Sequence, residues 1–196
     1  MDKIQKIEIA GYTRPITGEF VNGDAFFIHQ EDDYTFFAVI DGIGHGQVAH
    51  QIASKLTKYI KERVQKDIAH LMSEAHYFMK GSEGAALGLG IIENNEISFC
   101  TIGNINARII NQQNNNIALL STDGLIGVRK RTPRVDVRKI QTGDLILIHS
   151  DGVNSSNSFH SKVNYHLFTC EILSRKLVKE WGSEFDDATM LCIKIK

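Results

Sequence analysis

The sequence predicts an α+β fold dominated by antiparallel sheet. Short apolar or alternating runs are separated by turns rich in Asn, Asp and Gly. Stretches with apolar residues at three- and four-residue steps mark helices. Strands and helices are also grouped along the chain rather than alternating one for one. At 196 residues the chain fits a single domain, 1–196. Its 22 basic and 23 acidic residues leave a net charge of −1, so bulk charge points to neither nucleic acid nor a membrane surface as partner. No apolar run approaches the ~20 residues of a membrane span. The opening Met1-Asp2-Lys3-Ile4-Gln5-Lys6 carries no leader-like stretch, and a cytoplasmic location is expected. Cys100, Cys170 and Cys192 lie far apart and read as buried free thiols of a reducing compartment.

Taken in order, Ile4, Ile7 and Ile9 suggest an edge strand ending at Gly11. Ala25–His29 and Tyr34–Ile40 read as a hairpin closed by Glu31-Asp32-Asp33. From Gly46 to about Gln65, the residues Ala49, Ile52, Ala53, Leu56, Ile60 and Val64 form one apolar stripe, and a second helix is expected over Asp67–Met79. Strands follow at Ala85–Ile92, Glu96–Thr101, Asn104–Asn111 and Ile117–Leu120, separated by the turns Glu93-Asn94-Asn95 and Asn114-Asn115-Asn116. After a basic loop come Val135–Ile140 and Asp144–His149. A polar loop through Ser161 leads to a helix over Tyr165–Trp181, and Met190–Ile195 closes the chain as a strand.

The chemistry gathers at strand ends. Tyr34–Ile40 stops abruptly in Asp41-Gly42-Ile43-Gly44-His45-Gly46, just before a helix. Asp24 precedes the partner strand of that hairpin, so antiparallel pairing brings Asp24 and Asp41 to the same sheet edge. Ser150-Asp151-Gly152 ends another strand, and Asp186-Asp187-Ala188-Thr189 opens the last one. No Lys or Arg adjoins any of these acids in sequence. Carboxylates collected without counter-charge raise one another's pKa. Divalent metal resolves that conflict, and hard oxygen donors suit Mg²⁺ or Mn²⁺ rather than zinc. One Asp-Gly pair alone reads as a turn, as Thr122-Asp123-Gly124 does; the ordered set of acids carries the metal reading.

Asp24, the Asp41-Gly42 loop, Ser150-Asp151-Gly152 and Asp186-Asp187-Ala188-Thr189 together resemble the ordered motifs of the metal-dependent protein phosphatases, the PPM or type 2C superfamily. Leu125-Ile126-Gly127-Val128 and the run Thr142–Gly152 are similar to its SpoIIE-like branch. The resemblance implies an α-β-β-α sandwich with two Mn²⁺ or Mg²⁺ ions between its sheets. It makes Asp41 the shared ligand and catalytic centre, aided by the Gly42 carbonyl. Asp151 and Asp186 would complete one ion's set, Asp24 would lie near the other, and Asp187 and His45 are secondary candidates. The substrate would be phosphoserine or phosphothreonine in a protein. Because its first strand starts near residue 4, the chain resembles the free-standing feedback phosphatases of bacterial stressosomes. Its partners would then be phosphorylated STAS-domain proteins, RsbS- or RsbR-like. Two departures stand out: Gly23 occupies the place of a metal-binding Glu, and Glu19 that of a phosphate-binding Arg.

Other readings are weaker. Gly42, Gly44 and Gly46 lack the G-x-G-x-x-G spacing of a dinucleotide loop. His149-Ser150-Asp151 holds the letters of a hydrolase triad, but neighbours on a strand point to opposite faces. The stretch Val128–Lys139 contains Arg129 and Arg131 among several cations, and is expected to be a solvated face that could dock a phosphoprotein. A non-catalytic pseudophosphatase that regulates by contact is the alternative from another functional class.

Overall fold

The computed structural model describes residues 6–113, 115–154 and 165–196. It holds ten strands: β1 (Ile7–Arg14), β2 (Asp24–Gln30), β3 (Thr35–Gly42), β4 (Ala85–Glu93), β5 (Glu96–Ile102), β6 (Asn106–Ile110), β7 (Asn116–Ala118), β8 (Val135–Lys139), β9 (Leu145–His149) and β10 (Ala188–Ile195). The helices are α1 (Gly46–Lys61), α2 (Ile68–Phe78) and α3 (Cys170–Trp181). Two five-stranded sheets result, ordered β1-β10-β9-β6-β7 and β2-β3-β4-β5-β8, with every named strand pair antiparallel.

Strand β3 shows how the sequence pattern makes these layers. Phe36, Ala38 and Ile40 face α1 and α2, packing with Leu56, Ile60 and Leu71. Phe37 and Val39 face the other sheet and meet Ile146, Ile148, Leu191 and Ile193. Both faces are dry, so the run is continuously apolar rather than alternating. Beyond the second sheet, Leu173, Leu177 and Val178 of α3 cover Leu147, Met190 and Cys192. The α-β-β-α sandwich implied by the sequence resemblance is therefore the observed architecture. The three cysteines are free and buried. No helix among the described residues is long and apolar enough to cross a membrane.

Several element bounds differ from the sequence expectation, each for a physical reason. Strand β1 runs through Gly11 to Arg14 because that glycine is a contact point; a Cβ there would stand 2.8 Å from the Phe26 ring. Helix α1 stops at Lys61, where the Arg63 N–H reaches back only three residues to the Ile60 carbonyl. Helix α3 begins at Cys170, not at 165. The buried Lys194 ammonium takes the carbonyls of Tyr165 and Phe168, leaving 165–167 as one 3₁₀ turn, and Thr169 caps the helix by accepting from the Ile172 N–H. Strand β6 starts at Asn106, and β7 spans only Asn116–Ala118. Asn94 and Asn95 adopt φ of 48° and 61°, closing the β4–β5 hairpin as a two-residue turn. Ile4, Asn114 and most of the polar loop through Ser161 lie outside the described residues.

Candidate metal centre

Four strand ends from the two sheets meet at one end of the sandwich. In the β2–β3 hairpin Asp24 lies directly opposite Asp41. In the other sheet His149 of β9 pairs with Met190 of β10. Ser150–Gly152, just past β9, and Asp186–Asp187, just ahead of β10, therefore share one edge. Asn104, in the crossover from β5 to β6, spans the sheets by donating from Nδ2 to Asp151 Oδ2 at 2.6 Å.

Burial and like charge dominate the electrostatics. The Asp41 carboxyl is pushed up to about 9, first by burial and then by Asp24, Asp151 and Asp186. It also shares a hydrogen bond with Asp151. Burial raises Asp24 to about 7, with hydroxyl bonds from Ser150 and Thr189 opposing and the charges of Asp187 and Asp186 reinforcing the rise. Asp186 is raised by burial and then by Asp151. At neutral pH these surroundings favour the protonated form of the Asp41 carboxyl.

The donor chemistry fits a hard divalent cation, since every acid in the cluster offers oxygen and a cation would relieve the repulsion that keeps Asp41 protonated. Among the described residues no three such side chains already converge at ligating distance.

Each candidate has a distinct setting. Asp24 is 5% exposed, and its Oδ2 accepts from the Ser150 hydroxyl at 2.5 Å. Ser150 Oγ in turn accepts from the Thr189 N–H at 3.0 Å, tying the two sheets together. Gly42 is buried at the end of β3, and its N–H donates to the Gly23 carbonyl at 3.0 Å. Asp151 is exposed and Asp186 half-buried, both open to the cluster. Asp187 is buried, with its two oxygens accepting backbone N–H groups. His45 occupies the N-cap position of α1 at the mouth without a side-chain capping bond, its Nδ1 3.1 Å from Glu19 Oε1. Arg129 is exposed on the loop between β7 and β8. Arg131 is partly buried, its Nε lacking a hydrogen-bond partner and its side chain packed against Gly124. That loop pairs Ile126 with Ala85, the residue opposite Gly42, so it flanks the acid edge.

The sequence reading assigned no role to Ser150, Thr189 or Asn104. The first two were visible as polar neighbours of motif acids. Asn104 carries no local signal, because its partner is 47 residues away. Gly152 has a structural explanation: a Cβ there would lie 1.8 Å from the Asp187 carbonyl. Gly152→Ala should therefore lower stability by about 3 kcal/mol, the cost of forcing backbone apart in a packed region; urea unfolding of the metal-free protein measures it.

Comparison with known proteins bears on the family and the fold. The family model described as stage II sporulation protein E (SpoIIE) matches residues 31–196. The chain is 21% identical over 156 residues to phosphoserine phosphatase RsbX of Bacillus subtilis (strain 168), covering 79% of this chain and 78% of that protein. Among solved structures, one described as "The bacterial stressosome: a modular system that has been adapted to control secondary messenger signaling" includes a similar chain. It has a TM-score of 0.85 and 27% identity over 96% of this chain and 100% of that one. RsbX in complex with magnesium superposes with a TM-score of 0.84 and 19% identity, covering both chains fully.

Proposed function

This chain belongs to the SpoIIE family, and from that membership we propose that it is a metal-dependent protein serine/threonine phosphatase. Its proposed substrates are phosphorylated STAS-domain proteins of a stressosome, RsbS- or RsbR-like, and its proposed role is negative feedback on a stress response. The observation that carries the reading is the gathering of Asp24, Asp41, Asp151 and Asp186 at one end of the sandwich, where burial and the other three acids push the Asp41 carboxyl up to about 9. Such a group is costly to keep unless a cation relieves it. The similarity to RsbX supports phosphoserine as substrate, and the likeness to the stressosome chain supports the partner class.

In this reading Asp41 is the shared ligand beside the Gly42 carbonyl, Asp151 and Asp186 complete one ion's set, and Asp24 lies near the second. Two bound Mn²⁺ or Mg²⁺ ions would supply an acidified water and positive charge for the phosphoryl oxygens. Asn104 fixes the orientation of Asp151, and the Ser150 hydroxyl fixes that of Asp24. No side-chain nucleophile is assigned, so water opens the P–O ester bond directly, giving phosphate and the free hydroxyl without a phosphoenzyme.

The mouth of the site favours a protein substrate. Phe20 is 101% and Phe185 87% exposed, on loops joined by a Thr17 N–H to Glu184 carbonyl bond of 3.2 Å. Ile43 and Val48 add exposed apolar surface beside Gly42 and on the first turn of α1. Exposed apolar side chains on segments flanking a polar site suit contact with a macromolecule.

The direct test is phosphate release from a phosphoserine STAS-domain protein with Mn²⁺ and with chelator, for wild type and Asp41→Ala. Release that needs Mn²⁺ and Asp41 is expected. Metal-independent release, or none with any metal, would overturn the reading; the latter together with retained partner binding would identify a pseudophosphatase. Arg129 is assigned to docking, with Arg131 beside it. Arg129→Glu should reduce kcat/KM on the protein substrate about tenfold, the effect of losing about 1.4 kcal/mol of contact, while sparing a small aryl phosphate. Equal loss on both substrates would argue against docking.

A further inference from the structure

We propose that Asp187 is a positioning residue and not a metal ligand: its buried carboxylate clamps the 15–23 loop to the head of β10, so setting Asp24 and Gly42 against Asp151 and Asp186. The inference rests on reading the acid cluster as a metal centre. Asp187 follows Asp186 directly, yet the two have different surroundings. Asp186 is half-buried and feels the charge of Asp151, as a group open to the cluster would. Asp187 is only 3% exposed. Its Oδ1 accepts from the Ile16 N–H at 2.9 Å and its Oδ2 from the Gly23 N–H at 2.9 Å. Both donors lie on one loop, more than 160 residues away in sequence.

The clamp is continuous with the site. Gly23 donates its N–H to Asp187, and its carbonyl accepts the Gly42 N–H at 3.0 Å. A line of hydrogen bonds thus runs from the last strand, through the peptide units flanking Gly23, to the end of β3. Asp24, the next residue, is launched from that fixed point to face Asp41. A carboxylate bound to two backbone N–H groups makes charge-assisted bonds, which are stiff and directional.

The clamp also accounts for Gly23. A Cβ there would lie 2.6 Å from Asp187 Oδ2 and 2.6 Å from the Ala49 side chain. The space beside Gly23 is filled by the Asp187 carboxylate and the Ala49 side chain, so a glutamate there would have to displace them. Gly23 and Asp187 are therefore two halves of one arrangement, and the departure from the phosphatase pattern at residue 23 is matched by the buried acid at 187.

Amide hydrogen exchange and Mn²⁺ calorimetry on the full chain test this. In wild type, the Ile16 and Gly23 amides should be equally protected with and without Mn²⁺. If both lose protection when Mn²⁺ is added, Asp187 has turned to the metal and the proposal fails. Asp187→Asn should lower the melting point of the metal-free protein, speed exchange at both amides, and weaken Mn²⁺ binding about tenfold, the usual effect of losing an orienting group, with unchanged stoichiometry. Asp186→Asn, by contrast, should raise the metal-free melting point and leave those amides protected. An Asp187→Asn protein that behaves like Asp186→Asn would overturn the clamp. Should Asp187→Asn not fold, the wild-type exchange comparison decides alone. If wild type binds no Mn²⁺ at all, the metal reading falls, while exchange at Ile16 and Gly23 in the metal-free variant still reports on the clamp.

Discussion

Replacing Asp41 with asparagine is expected to reduce phosphate release at least about a thousandfold, a loss of about 4 kcal/mol from the transition state, while making the metal-free protein more stable. The two effects have one origin. Asp41 is the carboxyl on which burial and three acidic neighbours converge. Asparagine keeps the shape, abolishes the proton uptake that folding otherwise forces on this carboxyl at neutral pH, and leaves a shared metal ligand missing. Removing about 1–2 kcal/mol of that cost would raise the melting point by about 3–6 °C in a chain of this size. Thermal unfolding in chelator, run beside a phosphate-release assay in Mn²⁺, measures both. A variant that is inactive and also destabilised would mean that Asp41 holds the fold rather than the ion.

The second large effect is on pH dependence. The folded-state pKa of Asp41 is raised from an ordinary 3.8 to about 9, and that of Asp24 to about 7. The folded, metal-free protein therefore holds protons that the unfolded chain gives up, and the stability these groups contribute is complete below about pH 4. It is lost as pH rises, through about 7 for Asp24 and about 9 for Asp41. Metal-free protein should become progressively less stable across that window, the reverse of a protein whose carboxylates are salt-bridged. Saturating Mn²⁺ should flatten or invert the slope, since binding draws on the ionised forms. Melting curves at pH 5, 7 and 9, with chelator and with Mn²⁺, would reveal the crossing. A metal-free slope that rises with pH would contradict the assigned repulsion.

Much of this was legible in the sequence because the relevant signals are local. The Glu31-Asp32-Asp33 turn and an apolar run ending in Asp41 specify a hairpin, and pairing alone then places Asp24 beside Asp41. The apolar stripe of α1 similarly fixed which face it buries. What escaped was non-local. Gly11 looks like a strand terminator until Phe26 is seen packed against it. Residues 165–169 continue a helical pattern until the ammonium of Lys194, contributed by β10, claims their carbonyls. Asp186 and Asp187 are chemically identical in the sequence, and only the arrival of the Ile16 and Gly23 amides from the far end of the chain separates their settings. Residues tied by distant partners are those that local pattern cannot assign.

The pairing of β1 with β10, Ile7 beside Ile195, also governs when the centre can come into being. The hairpin of Asp24 and Asp41 joins neighbouring strands and can form as soon as that stretch leaves the ribosome. Asp186 and the Asp187 clamp must wait for β10, whose docking beside β1 closes a far longer loop and is correspondingly slow. Until β10 docks, only part of the acid set can be in place. On the proposed function, phosphatase activity would require β10 in place, so a chain truncated before β10 would be silent rather than partly active.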